Sequence, residues 1–187
     1  QQFAKLQNNN TNITMTLVDY DIQRAQQIQS RLQQISNVVL VDAHHSSNKL
    51  PVFSFLIKCG PRFLHFNCVS AVLNDVFGIQ SRGGCQCAGP YAQRLLGLSV
   101  QRSAALEKSL LHTDNDLLKA GVTRLSLPTL GTTQEQEDYV VQAIEWVAQH
   151  GWKLLHVYRY NHRTKAWRHK SRPSDRLGKH ERKRLSH

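Results

Sequence analysis

One cysteine and two arginines have the side chains and the sequence settings that chemistry on a small anionic substrate needs. Cys87 lies beside glycines, near Arg82 and just before a predicted helix start. A cation and exposed backbone N–H groups in that setting favour the thiolate, which is the reactive form of the side chain. Arg124 lies on the outer face of a predicted strand, where its planar guanidinium could hold a carboxylate. The residues alone leave two alternatives open, namely a packing cysteine and a solvated or ion-paired arginine.

Other classes of site have weaker support in the sequence. A zinc site needs four ligands with paired spacing, and the four cysteines do not provide it, so no metal site is predicted. The ten histidines are scattered and do not combine with an acid into a recognisable base. Neither a phosphate-binding P-loop nor a dinucleotide fingerprint is present. The cysteines are Cys59, Cys68, Cys85 and Cys87.

The elements before the cysteine loop follow from hydrophobic spacing. Apolar residues three or four apart predict an amphipathic helix over 20–36. Two short apolar runs, 38–42 and 52–57, predict neighbouring antiparallel strands. A second helix is predicted over 64–77, ending at Gly78 because glycine favours a helix C-terminus.

The cysteine loop itself is predicted to have an unusual backbone. Residues 80–90 contain the adjacent pair Gly83 and Gly84, and glycine permits conformations closed to other residues. Pro90 suits the first turn of a short helix that runs to Gly97. Residues 101–119 predict a further helical segment or two.

The rest of the chain completes an α+β pattern. Alternation over 122–130 predicts a strand with Thr123, Leu125 and Leu127 on one face and Arg124 and Ser126 on the other. Thr133 and Gln136 have capping-box spacing at the start of a helix that ends at His150. A last strand is predicted over 153–158. The order αββααβαβ predicts a compact α+β domain in which helices cover a small antiparallel or mixed sheet.

Positive charge is concentrated at the C-terminal end of the chain. The 187 residues contain 24 Lys and Arg against 13 Asp and Glu, for a net charge of +11. Residues 159–187 account for 11 of these bases and two of the acids, so the remainder is nearly neutral. We therefore divide the chain into a linker or frayed terminus over 1–18, a domain over 19–160 and a basic tail over 161–187. The tail has a charge pattern suited to RNA or another polyanion. Its basic residues, which surround Trp167, are Arg163, Lys165, Arg168, Lys170, Arg172, Arg176, Lys179, Arg182, Lys183 and Arg184.

Composition also bears on the compartment. No apolar run approaches the roughly 18 residues that span a bilayer, so no membrane-spanning segment is predicted. The cysteines are too few and irregular for a secreted disulfide framework, and we interpret them as reduced thiols in an intracellular compartment. Two glycosylation triplets, starting at Asn9 and Asn12, favour secretion, but no signal-peptide pattern accompanies them. Because the chain starts at Gln1 and its only methionine is Met15, we expect it to begin inside a longer gene product.

The cysteine loop carries a family resemblance. Residues 81–91, SRGGCQCAGPY, with QRLLG at 93–97, resemble the active-site loop of class V aminotransferases of the cysteine desulfurase type. Residues 122–127 are similar to the arginine-containing strand of that family, and 134–151 to its last helix. The segments 50–55 and 65–78 fit as well, so the resemblance covers roughly 20–170.

The resemblance implies a fold and roles for individual residues. It is to the C-terminal, smaller domain of a pyridoxal-phosphate enzyme with the aspartate aminotransferase fold. Cys87 would take sulfur from substrate cysteine as a persulfide, Arg124 would hold the substrate carboxylate, and Arg82 would lie near the site. Cys85 stands where many relatives have histidine.

The same resemblance implies partners that the chain does not contain. Pyridoxal phosphate is held in this family by a large N-terminal domain through a lysine. We therefore expect the cofactor only in a full-length protein, none bound to this chain alone, and no catalysis by this chain alone. A homodimer is a further implication. The resemblance does not distinguish cysteine, selenocysteine or another amino acid as the substrate. The cellular location is also left open, as either the cytosol or an organelle such as the mitochondrion.

A second hypothesis belongs to a different functional class. The domain could be a non-catalytic, structural or RNA-associated subunit of a larger assembly, derived from such an enzyme. The basic tail motivates this alternative, and an organellar assembly is compatible with it.

Overall fold

The computed structural model describes four continuous stretches of the chain and a few residues between them. The stretches are 17–41, 49–84, 119–128 and 131–172, with 97, 99, 101–102, 104–105, 108 and 117 as isolated residues. The described elements are α1 (Leu17–Gln34), β1 (Val38–Leu40), β2 (Val52–Cys59), β3 (Arg62–Phe63), α2 (Phe66–Phe77), β4 (Arg82–Gly84), β5 (Val122–Ser126), α3 (Gln134–His150), a 3-10 helix (Gly151–Leu154), β6 (Tyr158–Asn161) and β7 (Ala166–His169).

The main sheet is antiparallel at each described strand pair. Its order is β1-β2-β5-β4, and β3 pairs with β2 to one side of that path. A separate two-stranded hairpin is formed by β6 and β7. The predicted α+β class, with helices covering a small sheet, is confirmed.

One hydrophobic core joins the sheet to the helices. Alternation along β2 turns Phe53, Phe55 and Ile57 inward, where each is at most 1% exposed. Leu32 of α1 and Ile144 of α3 belong to the same buried cluster. Burial of such side chains contributes about 1.5–3 kcal/mol each, which makes this face of the sheet the principal source of stability.

Two helix boundaries follow the predicted local signals. Gly78 ends α2 with a φ of 68°, a left-handed conformation that favours glycine. Thr133 and Gln136 form the predicted capping box at the start of α3. The helix predicted over 20–36 begins earlier, at Leu17, so the last two residues of the predicted 1–18 linker are helical.

The C-terminal part of the structure differs from the prediction. The strand predicted over 153–158 is wrong, because Gly151–Leu154 form a 3-10 helix and the strand begins only at Tyr158. The hairpin ends at His169 and the described structure at Arg172, so the fold extends into the basic tail that was predicted to begin at residue 161. Tertiary contact explains the difference, since aromatic residues of the hairpin pack against α2.

A buried ion pair joins α1 to α3. Arg24 Nε donates to Glu137 Oε1, and Arg24 Nη1 donates to the carbonyl oxygen of Pro128 at 2.8 Å. Both charged side chains are about 95% buried, and Asp21 Oδ1 lies 3.7 Å from Arg24 Nη1. A charge buried to this degree is stable only with its partners in place, so the cluster holds the two helices in one relative position.

We predict that Glu137→Gln destabilises the fold strongly. Removing the buried carboxylate leaves the Arg24 guanidinium without its principal counter-charge. The free energy of unfolding should fall by about 3 kcal/mol, toward the low end for buried pairs, because Asp21 remains close. Urea unfolding followed by circular dichroism measures the change.

The matched control is the exposed ion pair between the same two helices. Arg31 Nη1 and Asp138 Oδ1 are 2.6 Å apart, and both side chains are more than a third exposed. Asp138→Asn should leave the unfolding midpoint nearly unchanged, because solvent screens an exposed pair. Equal losses in the two variants would contradict the structural role given to Arg24 and Glu137.

Candidate functional site

The strongest candidate site is an open pocket at the edge of the main sheet. Its volume is about 390 Å³. The described residues that line it are Gln80, Ser81, Arg82, Arg124 and Ser126. Two of the five are cations and none is an acid, so the pocket is suited to an anion.

The two arginines reach the pocket from adjacent strands. Arg82 of β4 and Arg124 of β5 are directly opposite each other in the antiparallel register, and both are exposed. Both arginines line the same pocket, so one anion in it can accept hydrogen bonds from two strands. The structure thus brings together the two arginines that the sequence analysis assigned to substrate binding.

The inner side of the same strands explains how the arginines come to face outward. Thr123 is buried, and its hydroxyl donates to the carbonyl oxygen of Phe66 at 3.2 Å. A Cβ on Gly83, which is opposite Thr123, would lie 2.3 Å from Asn67 Oδ1 and 2.7 Å from a ring carbon of Phe66. The first turn of α2 therefore presses on this face of β4 and β5, and only glycine fits at position 83. Because side chains alternate along strands, Arg82 and Arg124 must face the other way.

Glycine also determines the backbone at the end of β4. Gly84 has a φ of 130°, which residues with a Cβ rarely adopt. This agrees with the predicted role of the glycine pair, although 82–84 form a strand where the sequence predicted a loop. Pairing with β5 supplies the backbone partners that local sequence patterns could not reveal.

One residue that lines the pocket has a buried polar atom without a described partner. Ser81 Oγ is buried and has no hydrogen-bond partner among the described residues. Buried hydroxyl groups are usually paired, with protein, water or ligand.

The cysteines divide into two kinds. Cys87 and Cys85 lie outside the described residues, and so does the helix predicted from Pro90. Cys68 is a buried core residue of α2, and burial raises the pKa of its thiol to about 12. Its thiol is therefore protonated at neutral pH and unreactive, as expected of a structural cysteine. Cys59 is half-buried at the end of β2.

The basic residues predicted to bind nucleic acid fall into three groups: those on the hairpin, those with partners elsewhere, and those outside the described residues. Arg163 and Lys165 lie exposed in the turn of the hairpin, and Arg168 lies on β7. Lys170 Nζ donates to the carbonyl oxygen of His156, and Arg172 forms an ion pair with Asp75 at 2.7 Å. The remaining ones, Arg176, Lys179, Arg182, Lys183 and Arg184, lie outside the described residues.

A cluster of metal ligands and a membrane-spanning helix are both absent from the described part of the chain. None of its His, Cys, Asp and Glu side chains form a group of three or more that could hold a metal ion. No helix described here is both long enough and apolar enough to cross a bilayer.

The sequence analysis did not include Arg159 among the basic residues predicted to bind nucleic acid, although the fold exposes it beside them. Arg159 follows directly after Tyr158 and is paired across the hairpin with Arg168. The signal was present in the alternation of Tyr158, Arg159 and Tyr160, which is typical of a strand with one aromatic and one polar face.

We predict that removing one of the opposed charges does not weaken the fold. Arg82→Gln removes one of two like charges that are opposite each other in the register of β4 and β5, so the free energy of unfolding should stay level or rise by about 0.2–1 kcal/mol at low ionic strength. Added salt should erase the gain because it screens exposed charges. Chemical denaturation at two salt concentrations measures both effects.

A suitable control is Arg62→Gln, which removes an exposed strand arginine whose cross-strand partner is the uncharged Cys59. The difference in unfolding free energy between Arg62→Gln and the unmodified chain should not change when salt is added. A clear loss of stability in Arg82→Gln would show that the arginine pair is held by contacts within the protein and would argue against an anion site.

Comparison with known proteins leaves the geometry as the basis for assigning function. No model of a known protein family matches the chain, and no curated protein matches it.

Proposed function

We propose that this chain is the C-terminal, smaller domain of a pyridoxal-phosphate-dependent enzyme of the class V aminotransferase or cysteine desulfurase type. In that enzyme it provides the binding site for the substrate carboxylate. One observation carries the proposal: Arg124 and Arg82 are opposed across two strands and line the same open pocket. The loop resemblance names the same two arginines independently of the geometry.

The chemistry of the pocket suits the carboxylate of an amino acid. A guanidinium presents parallel N–H donors that match the two oxygens of a carboxylate, and such charge-assisted pairs are short and directional. Arg124 on the central strand β5 is the more firmly positioned of the two, since β5 is paired on both sides, by β2 and β4. Arg124 is accordingly assigned to bind and orient the carboxylate, and Arg82 to neutralise the remaining charge.

The pocket residues do not fit the cofactor itself. Pyridoxal phosphate requires a lysine to form its imine and an acid at its pyridine nitrogen, and the five described residues that line this pocket include neither. The cofactor is therefore assigned to a large domain outside this chain, and no chemical step is assigned to the residues of the pocket. Cys87 keeps the role that the resemblance implies, acceptor of the sulfur atom of substrate cysteine.

We predict that the isolated chain binds L-alanine weakly through its carboxylate. Backbone amide resonances of residues 80–82 and 124–126 should shift on titration with millimolar L-alanine. L-Alaninol, in which an alcohol replaces the carboxylate, should leave them unmoved. Arg124→Gln should weaken the binding at least tenfold, because a hydrogen bond to a charged group contributes about 1.5–3 kcal/mol.

Lys58→Gln is the matched control for this titration. Lys58 is an exposed cation on β2 of the same sheet, so its removal changes the net charge equally without touching the pocket. Equal shifts with L-alaninol, or unchanged affinity in Arg124→Gln, would contradict a carboxylate site.

We also predict that catalysis requires a longer polypeptide. The chain supplied with pyridoxal phosphate and L-cysteine should release no sulfide or alanine above the rate of the free cofactor. The endogenous polypeptide, purified and measured by intact-mass spectrometry, should exceed the 21.4 kDa of this chain and carry a cofactor lysine. Sulfide release by the chain alone, or an endogenous mass of about 21 kDa, would refute the missing-domain proposal.

A further inference from the structure

The β6–β7 hairpin and the segments around it contain basic residues but no acidic ones. Between Gly151 and Arg172 there are seven Lys and Arg residues and no Asp or Glu. They are Lys153, Arg159, Arg163, Lys165, Arg168, Lys170 and Arg172. In contrast to a basic tail, most of this segment is folded, so the charges have defined positions.

The strand register separates the hairpin into two unlike faces. Tyr158 is opposite His169 and Tyr160 is opposite Trp167, and these pairs share one face. Arg159 and Arg168 are directly opposite each other on the other face, which is completed by Asn161 and Ala166.

The aromatic face fastens the hairpin to α2. Trp167 Nε1 donates to His65 Nδ1 at 3.1 Å, and the Tyr158 hydroxyl donates to Asp75 Oδ2 at 3.2 Å. Arg172 forms an ion pair with the same Asp75. Burial, followed by the charge of Asp75, raises the pKa of Tyr158 to about 12, so this hydroxyl keeps its proton at physiological pH. The basic face is thereby held away from α2 at a fixed orientation.

The turn extends the basic face at the end of the hairpin. Asn161 Oδ1 accepts hydrogen bonds from the backbone N–H groups of Arg163 and Thr164 at 2.9 and 3.1 Å. This side-chain turn leaves Arg163 and Lys165 exposed beyond the strands. Arg159 and Arg168 on the strands and Arg163 and Lys165 in the turn therefore lie along one hairpin. Successive phosphates of an extended nucleic-acid strand could contact them in turn.

We propose that this face, made by Arg159, Arg168, Arg163 and Lys165, binds the phosphate backbone of RNA without sequence preference. Arg159 and Arg168 are directly opposite each other, and the forked N–H donors of a guanidinium match the oxygens of a phosphate, so neighbouring phosphates can contact both. Tyr160 and Trp167 contact His65 at the start of α2, so these two rings lie on the opposite face from the arginines, and the proposed binding rests on charge. The proposal does not depend on the carboxylate pocket.

A nucleic acid fits this face better than an anionic membrane. Interfacial membrane binding combines basic residues with apolar side chains that enter the bilayer. On the outer face of the hairpin the only apolar residue is Ala166, which is half-buried. The exposed apolar residues nearby, Trp152 and Leu155, belong to the preceding 3-10 segment.

The test is fluorescence anisotropy with a labelled single-stranded oligouridylate of about 20 nucleotides and the full chain. Arg159→Ala combined with Arg168→Ala should raise Kd at least tenfold at 0.1 M salt. The slope of log Kd against log salt should fall by about 1.4, since each phosphate contact on a single strand contributes about 0.7. Arg163→Ala combined with Lys165→Ala should act in the same direction.

The control is Lys58→Ala combined with Arg62→Ala, which removes two exposed cations from β2 and β3 of the main sheet. It should leave Kd within about twofold, and circular dichroism should show all variants folded. Three results would overturn the proposal. They are equal losses in the hairpin and control variants, affinity that depends only on residues 173–187 in a deletion, and hairpin-dependent binding to phosphatidylserine vesicles without binding to RNA.

Discussion

The packing of α2 against its neighbours is the constraint on which both candidate surfaces depend. Its first turn packs so closely on β4 that only glycine fits at position 83, and the carbonyl oxygen of Phe66 in that turn accepts a hydrogen bond from the Thr123 hydroxyl of β5. These inner contacts oblige Arg82 and Arg124 to face the pocket. The same helix holds the hairpin through His65 and Asp75, and so directs the basic face outward.

Both surfaces use the same electrostatic arrangement. In each, two arginines are directly opposed across antiparallel strands, at the pocket in the main sheet and on the outer face of the hairpin. The proposals assign each pair to an anion that contacts both arginines. The surfaces differ in shape: the arginines of the main sheet line a pocket of about 390 Å³, whereas those of the hairpin lie on an extended strand face.

Elements specified by local patterns were predicted well. The core-facing alternation of Leu125 around Arg124, the end of α2 at Gly78 and the capping box at Thr133 each depend on residues within four positions of one another. The errors lie where partners are distant in sequence. Strand β4 exists because it pairs with β5 some forty residues later, and the hairpin exists because its aromatic residues find α2. Nothing near 153–158 could have shown that the last strand begins later.

The sequence by itself determined the α+β class, the end of α2 and both ends of α3, because periodicity and capping are local properties. Only the tertiary structure decided that Arg82 stands opposite Arg124, that Arg24 and Glu137 meet in the interior, and that Arg159 joins Arg168 on one face. Register and helix packing set these relations, and both arise from contacts between segments far apart in the chain.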